Sequence, residues 1–182
     1  LEFDDVLDAL AATPHLLAHR PSAIEVMDDF ILSHARGHAT LDAALRAIAD
    51  GDRPSLLCVE FYDDALDTLL PRLDAFERDV ASAFPQARRR RLLDAAAQAR
   101  VWHVREASLG LSTAMKGDAK AISFVEDTAV APERLRDYIA RFQQLVARHG
   151  TVAGIYARAS VGCLHVRPVV NLKTAEGVAQ FE

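Results

Sequence analysis

The sequence predicts an α+β domain built on an antiparallel sheet, and three observations carry that prediction. Two apolar, strand-like runs, Thr151 to Ala157 and Val161 to Val166, meet at Ser160 and Gly162, the composition of a hairpin or bulge. Two longer segments, Leu66 to Phe84 and Leu92 to Leu111, read as helices, the first amphipathic and the second rich in helix-forming alanine. From Leu56 onward the order is strand, helix, helix, strand, helix, strand, strand, which places antiparallel pairing at the C-terminal end.

The elements follow in order. Phe3, Val6, Leu7 and Leu10 recur at helical spacing and predict a first short helix. Ser22 with Glu25 three residues on forms a capping-box pattern, so a helix is expected to open there, run through Met27, Ile31 and Leu32, and end near Gly37. Leu41 to Ala49 reads as a shorter helix stopped by Asp50-Gly51-Asp52. Leu56 to Tyr62 is short, apolar and rich in strand formers. Ala121 to Val125 is the next strand, and Pro132 suits the first turn of a helix running to about Arg148. A first strand ahead of Asp4 would complete a ferredoxin-like antiparallel sheet with helices packed on one face. Leu1-Glu2-Phe3 reads as the tail of such a strand, and Phe181-Glu182 falls inside a helix beginning near Lys173. The chain, residues 1–182, is therefore expected to be one domain cut from a longer protein.

Composition bounds the function. At 182 residues the chain can bury a sizeable core, and charged residues break every apolar stretch well short of the roughly 18 to 20 residues of a membrane span. A net charge of −5 argues against a nucleic-acid partner, and Arg88-Arg-Arg-Arg91, the one basic run, reads as a solvated connection after Pro85. Cys58 and Cys163 are too few for a disulfide framework; in apolar strand contexts they read as small buried hydrophobes of a reducing cytoplasm. His34 and His38 have a metal-compatible spacing, but Gly37 breaks the helix between them. Lys116 and Lys120 flank a Gly-Asp turn and read as a solvated loop.

Candidate site residues cluster late in the chain. Tyr156-Ala-Arg-Ala-Ser-Val-Gly-Cys-Leu-His165-Val-Arg-Pro168 holds a histidine and two arginines beside a turn whose backbone can approach a ligand closely. Val101-Trp-His-Val-Arg105-Glu106 and Phe124-Val-Glu126-Asp127, followed by Pro132, are the other two motifs. On residues alone, Arg105 reads first as a helix-surface arginine paired with an acid, and His165 as a strand histidine held by its neighbours. Glu126 and Asp127, paired carboxylates at a strand end, can orient His165 or a basic partner, and Asp127 reads rather as a cap for the helix near Pro132.

Together, in order and spacing, these three motifs resemble the C-terminal, substrate-side domain of FAD-linked oxidases of the vanillyl-alcohol oxidase type, which include D-lactate, glycolate and D-2-hydroxyglutarate dehydrogenases. The Gly162 to Pro168 segment is closest to large proteins in which the flavin domain is fused to iron–sulfur modules. The resemblance implies a domain of an FAD-dependent oxidoreductase that oxidises a 2-hydroxy acid by hydride transfer. FAD would be bound mostly by a separate N-terminal domain of the same parent chain, with an iron–sulfur cluster elsewhere in that parent. It implies a cytoplasmic protein, or one peripheral to a membrane through its electron acceptor. His165 is then the catalytic residue, Arg105 and Arg158 the substrate-binding residues, and Gly162 and Glu126 the cofactor-side residues.

The family pattern is Gly-His, six residues, then His, with both histidines helping to hold a divalent metal. Arg158 stands in the first histidine's place, and a guanidinium has no lone pair for a metal. The expectation is therefore no metal on this chain alone, with Arg158 supplying in place the positive charge that the metal gives its relatives. A non-catalytic α+β interaction or small-molecule-binding module is the competing reading; a metal-dependent hydrolase lacks a ligand cluster.

Overall fold

Seven strands and seven helices alternate along the chain in the computed structural model: β1 (Glu2–Phe3), α1 (Val6–Leu17), β2 (Ala23–Met27), α2 (Asp29–Ala35), α3 (Ala39–Ile48), β3 (Ser55–Glu60), α4 (Leu66–Ala83), α5 (Ala95–Thr113), β4 (Lys120–Ala121), β5 (Val125–Ala129), α6 (Leu135–Arg148), β6 (Ala153–Arg158), β7 (Cys163–Val170) and α7 (Ala175–Phe181). The structure describes the backbone of residues 1–182 and all side chains except those of residues 108, 109, 111 and 112.

The sheet is antiparallel throughout, in the order β1-β3-β2-β6-β7-β4, with β5 also pairing β7. The expected α+β class and antiparallel sheet are observed. Alternation assigns the two faces. Ile24, Val26, Leu57, Ile155, Ala157, Leu164 and Val166 point to the main core, against Leu10 and Leu16 of α1, Leu135 and Ile139 of α6, and Phe76 and Val80 of α4. This is the expected helical layer. Beyond it, Met27 and Leu56 point the other way into a second cluster with Leu32, Leu41, Leu45 and Val104, so α2, α3 and α5 cover part of the opposite face. The remainder of that face carries polar side chains.

Three local expectations are corrected. The segment 23–27 is a central strand rather than a helix, because Ile24 and Val26 are β-branched and pair on one side with β3 and on the other with β6. Ser22 caps no helix; its hydroxyl accepts from the Tyr62 amide. Asp28 opens α2 instead, accepting from the Ile31 amide at 2.8 Å. The expected strand 121–125 is split: β4 pairs Val169–Val170, and β5 runs on to Ala129 with a register shift between Val125 and Thr128. Asp127 sits in that bulge with φ 52° and its carboxylate largely in solvent, so it does not cap the Pro132 turn.

The two apolar runs do form a hairpin, with Arg158 opposite Cys163 and Gly162 at φ 71° in the turn. A Cβ on Gly162 would lie 1.7 Å from the Val130 carbonyl oxygen, so close packing as well as backbone conformation demands glycine there. The basic run after Pro85 is tied down: Arg88 pairs with Glu2 and Asp4, Arg90 with Asp50, and Arg91 with Asp74 and Glu77.

Asp28 joins α2 to the sheet, because its second carboxylate oxygen accepts from the Ile155 amide at 2.7 Å. The group is buried, and desolvation pushes its carboxyl up to about 8. With the unfolded value near ~4, the folded state favours the protonated form. The stability this provides is complete below that unfolded value and is lost as pH rises through about 8. Asp28→Asn turns an amide donor toward one of the two backbone donors, and is expected to cost about 1–3 kcal/mol. Urea unfolding of both forms at pH 5 and pH 9 checks this: the wild-type domain loses stability between the two and the variant loses less.

Candidate functional site

The polar face of the sheet is laid out by strand register. Cys58, Glu25, Arg158 and Cys163 form one row across β3, β2, β6 and β7, and Met27, Tyr156 and His165 form the next. Arg167 lies one step further along β7, opposite Gly154. α5 crosses this face and lowers Arg105 onto it. The guanidinium donates from Nε at 3.1 Å and Nη2 at 2.9 Å to Glu25 Oε2, and Nη2 also donates to the Tyr156 hydroxyl. Its carbon lies 5.3 Å from the Trp102 ring centre and 4.8 Å from that of Tyr156. The ion pair is nearly closed to water, with Arg105 16% and Glu25 10% exposed.

Tyr156 links this pair to His165. The two rings stack at 5.0 Å with planes 22° apart. His165 Nδ1 lies 2.5 Å from Glu126 Oε2 on the neighbouring strand. A carboxylate only accepts, so Nδ1 carries the proton it donates to Glu126, and Nε2 is the nitrogen left to exchange a proton with a ligand. Nε2 sits 3.8 Å from Cys163 Sγ. Glu126 Oε1 also lies 3.5 Å from Arg167 Nη2, while the Arg167 Nε is buried without a partner among the described residues. Burial pushes the Tyr156 phenol up, so its hydroxyl stays protonated and can donate at neutral pH.

The charges on this face are not equally engaged. Arg105 is committed to Glu25, and Arg167 is associated with Glu126. Arg158 is 58% exposed and reaches Glu25 Oε1 only at 4.0 Å. A carboxylate arriving from solvent therefore meets Arg158 as the least neutralised cation beside Tyr156 and His165.

Arg105, Arg158, His165 and Glu126 thus fall on one face of one sheet, although 53 positions separate Arg105 from Arg158 in the chain. Gly162 lies at the hairpin turn, where its amide donates to Ala159 and its carbonyl accepts from Val130, so what it offers a ligand is close approach alone. The structure adds Glu25, Tyr156 and Trp102 to the site, and sets Arg167, the second arginine of the hairpin segment, beside Glu126. Glu25 was hidden by the helical reading of its segment; as a strand, a lone carboxylate between Ile24 and Val26 marks the polar face. Tyr156 was readable from the hairpin, once its register paired it with His165.

Both cysteines are free thiols. The Cys58 thiol is pushed up to about 11 by burial. Arg158 rules out a two-histidine metal site of the family kind. The ligand atoms of Asp127, Cys163 and His165 do lie within 4.8 Å of one another, and Glu126 brings a further carboxylate oxygen to 2.5 Å from His165 Nδ1. A cleft of about 370 Å³ opens on the β3 side of α5, lined by Cys58, Glu60, Phe76, Arg90 and Trp102 among others. It excludes Tyr156, Arg158 and His165, so the convergent polar groups rather than this cleft define the site. Among the described residues no helix is long and apolar enough to cross a membrane.

The family model for the C-terminal domain of FAD linked oxidases matches residues 1–182. The chain is 34% identical to a D-2-hydroxyglutarate dehydrogenase of Pseudomonas putida, over 95% of this chain and 18% of that protein. It is 31% identical to a D-2-hydroxyglutarate dehydrogenase of Escherichia coli and 32% to one of Pantoea ananatis, each over 94% of this chain and 18% of the relative. The chain thus spans less than a fifth of the length of these relatives.

Proposed function

The chain belongs to the C-terminal domains of FAD-linked oxidases, and from that premise we propose that it is the substrate-side domain of an FAD-dependent dehydrogenase oxidising a 2-hydroxy acid of the D-2-hydroxyglutarate type. The observation that carries the reading is the convergence of Arg158, Arg105, Tyr156 and a Glu126-backed His165 on one open sheet face. In this reading the FAD-binding part lies elsewhere in the same parent chain and packs over this face. A cytoplasmic setting belongs to the same proposal and is supported by the two free thiols.

Each side chain has a task. Arg158 receives a substrate carboxylate in its planar fork, a pairing worth roughly 1.5–3 kcal/mol as a charged hydrogen bond. It supplies by charge what a metal supplies in relatives with two histidines. Arg105, held by Glu25, donates to Tyr156 and fixes the phenol whose own proton is free to bond the substrate. His165 Nε2 takes the proton of the substrate hydroxyl, and Glu126 stabilises the imidazolium so formed. Bound FAD supplies the acceptor for the hydride that leaves the carbinol carbon, and the product is the 2-keto acid. In this reading Glu126 and Gly162 are the residues of this chain that would face the flavin.

The test uses the full-length parent protein. Its visible spectrum is recorded without oxygen, and D- and L-2-hydroxy acids are added in turn. Bleaching of a flavin band by D-2-hydroxyglutarate, with less or none by its L form, is the expected result. A flavin band that no 2-hydroxy acid bleaches would move the chemistry to another substrate class, and no flavin would leave an interaction module.

A further inference from the structure

On the opposite side of the sheet, away from the proposed active site, α1 and α4 meet through two histidines and one aspartate. His15 lies in the last turn of α1 and His19 just past its end, four residues on, so both rings project from one side of that terminus. Both Nε2 atoms converge on a single oxygen of Asp79 in α4, Oδ2, at 2.6 and 2.7 Å. The rings are held in place. His15 stands edge-on to Phe84 at 5.2 Å and His19 edge-on to Phe76 at 5.4 Å, each within a few degrees of perpendicular.

Two imidazoles and a carboxylate with ligand atoms all within 4.8 Å of one another are a donor set for a divalent transition metal. The tautomers permit it. In the absence of metal each Nε2 carries the proton it donates to Asp79. Neither Nδ1 is engaged by another protein group among the described residues, so each can take up the proton when Nε2 turns its lone pair to a metal. The carboxylate is already conditioned as an anion, its carboxyl held below the ordinary range by the hydrogen bonds from His19 and His15. His15 is 44%, His19 24% and Asp79 38% exposed, so an ion can enter and water can complete its coordination.

The place in the fold gives such an ion a consequence. α4 is eighteen residues long but buries only Phe76 and Val80, so few apolar contacts hold it down. Phe76 both packs on His19 and lines the cleft beside α5. We propose that His15, His19 and Asp79 form a binding site for a divalent transition metal of imidazole preference, such as Zn²⁺, which pins α4 against α1.

The experiment compares the full-length protein with its His15→Gln/His19→Gln variant, since a glutamine amide can still donate to Asp79 but is a poor ligand. Both are stripped with a chelator and titrated with Zn²⁺ against a chromophoric chelator, and hydrogen exchange in residues 66–83 is followed with and without Zn²⁺. The wild type is expected to take up one Zn²⁺ per chain more than the variant, and its α4 amides to slow on Zn²⁺ addition while those of the variant do not. Asp79→Asn, which keeps an acceptor for both rings, is expected to lose the same equivalent and covers the case in which the double variant does not fold. Equal uptake by wild type and variants, or extra uptake without slower exchange in α4, overturns the proposal.

Discussion

Replacing His165 with glutamine in the full-length protein is expected to lower kcat for the 2-hydroxy acid by about 10²–10⁴-fold, the range typical of a lost general base. KM should change little, because the carboxylate is held by Arg158 rather than by the imidazole. The companion variant is Glu126→Gln. It leaves an oxygen that can still accept from His165 Nδ1, at the 2.5 Å contact seen in the structure, but removes the negative charge that would stabilise an imidazolium. Loss of one charge-assisted hydrogen bond, about 1.5–3 kcal/mol, corresponds to a fall of roughly 10- to 100-fold in kcat. The acidic limb of the pH profile, where protonation silences a general base, should also move to lower pH, because an imidazolium without the Glu126 charge loses its proton more readily. Steady-state kinetics over a pH series measure both effects. If His165→Gln turns over within a few-fold of the wild type, the histidine is a structural ring stacked on Tyr156, and the base must be sought elsewhere.

How far the sequence led to this site depends on what each residue needed from the rest of the fold. His165, Arg158 and Gly162 were legible because they lie within one hairpin, where local turn chemistry and the family motif suffice. Arg105 and Glu126 were legible as motif residues, and His165 or a basic group as a partner for Glu126, but not Glu25 and Tyr156 as the partners of Arg105. Those partners come from β2 and β6, which α5 reaches across the sheet face, and no local pattern encodes such a contact. The segment 22–27 shows the failure most clearly. Its capping pattern is real, but two neighbouring strands outcompete the local helix preference, and with the wrong secondary structure Glu25 vanished from the site. β5 failed for a related reason. Its bulge at Asp127 breaks the alternation from which a strand is recognised.

Because Glu25 and Arg105 are both nearly buried, removing either one alone should destabilise the domain by about 3–5 kcal/mol, the cost of leaving an uncompensated charge behind. Glu25→Leu and Arg105→Leu are the single variants, and the double variant replaces the pair by apolar side chains of similar bulk. Such replacements are often neutral, so the double variant should recover most of the stability lost by either single one. Urea unfolding of the four forms gives the coupling. The same four proteins separate the two roles open to Arg105. If the arginine serves only to hold Glu25, the double variant recovers activity along with stability. If it orients Tyr156 toward substrate, stability returns but substrate binding does not, because the phenol has lost the donor that fixes it. The second outcome is expected, with KM remaining raised by roughly 10- to 100-fold, the equivalent of one charge-assisted hydrogen bond. Arg105→Lys sharpens the distinction: lysine keeps the charge opposite Glu25 but loses the fork that reaches the carboxylate and the phenol together, so it should preserve stability better than it preserves KM.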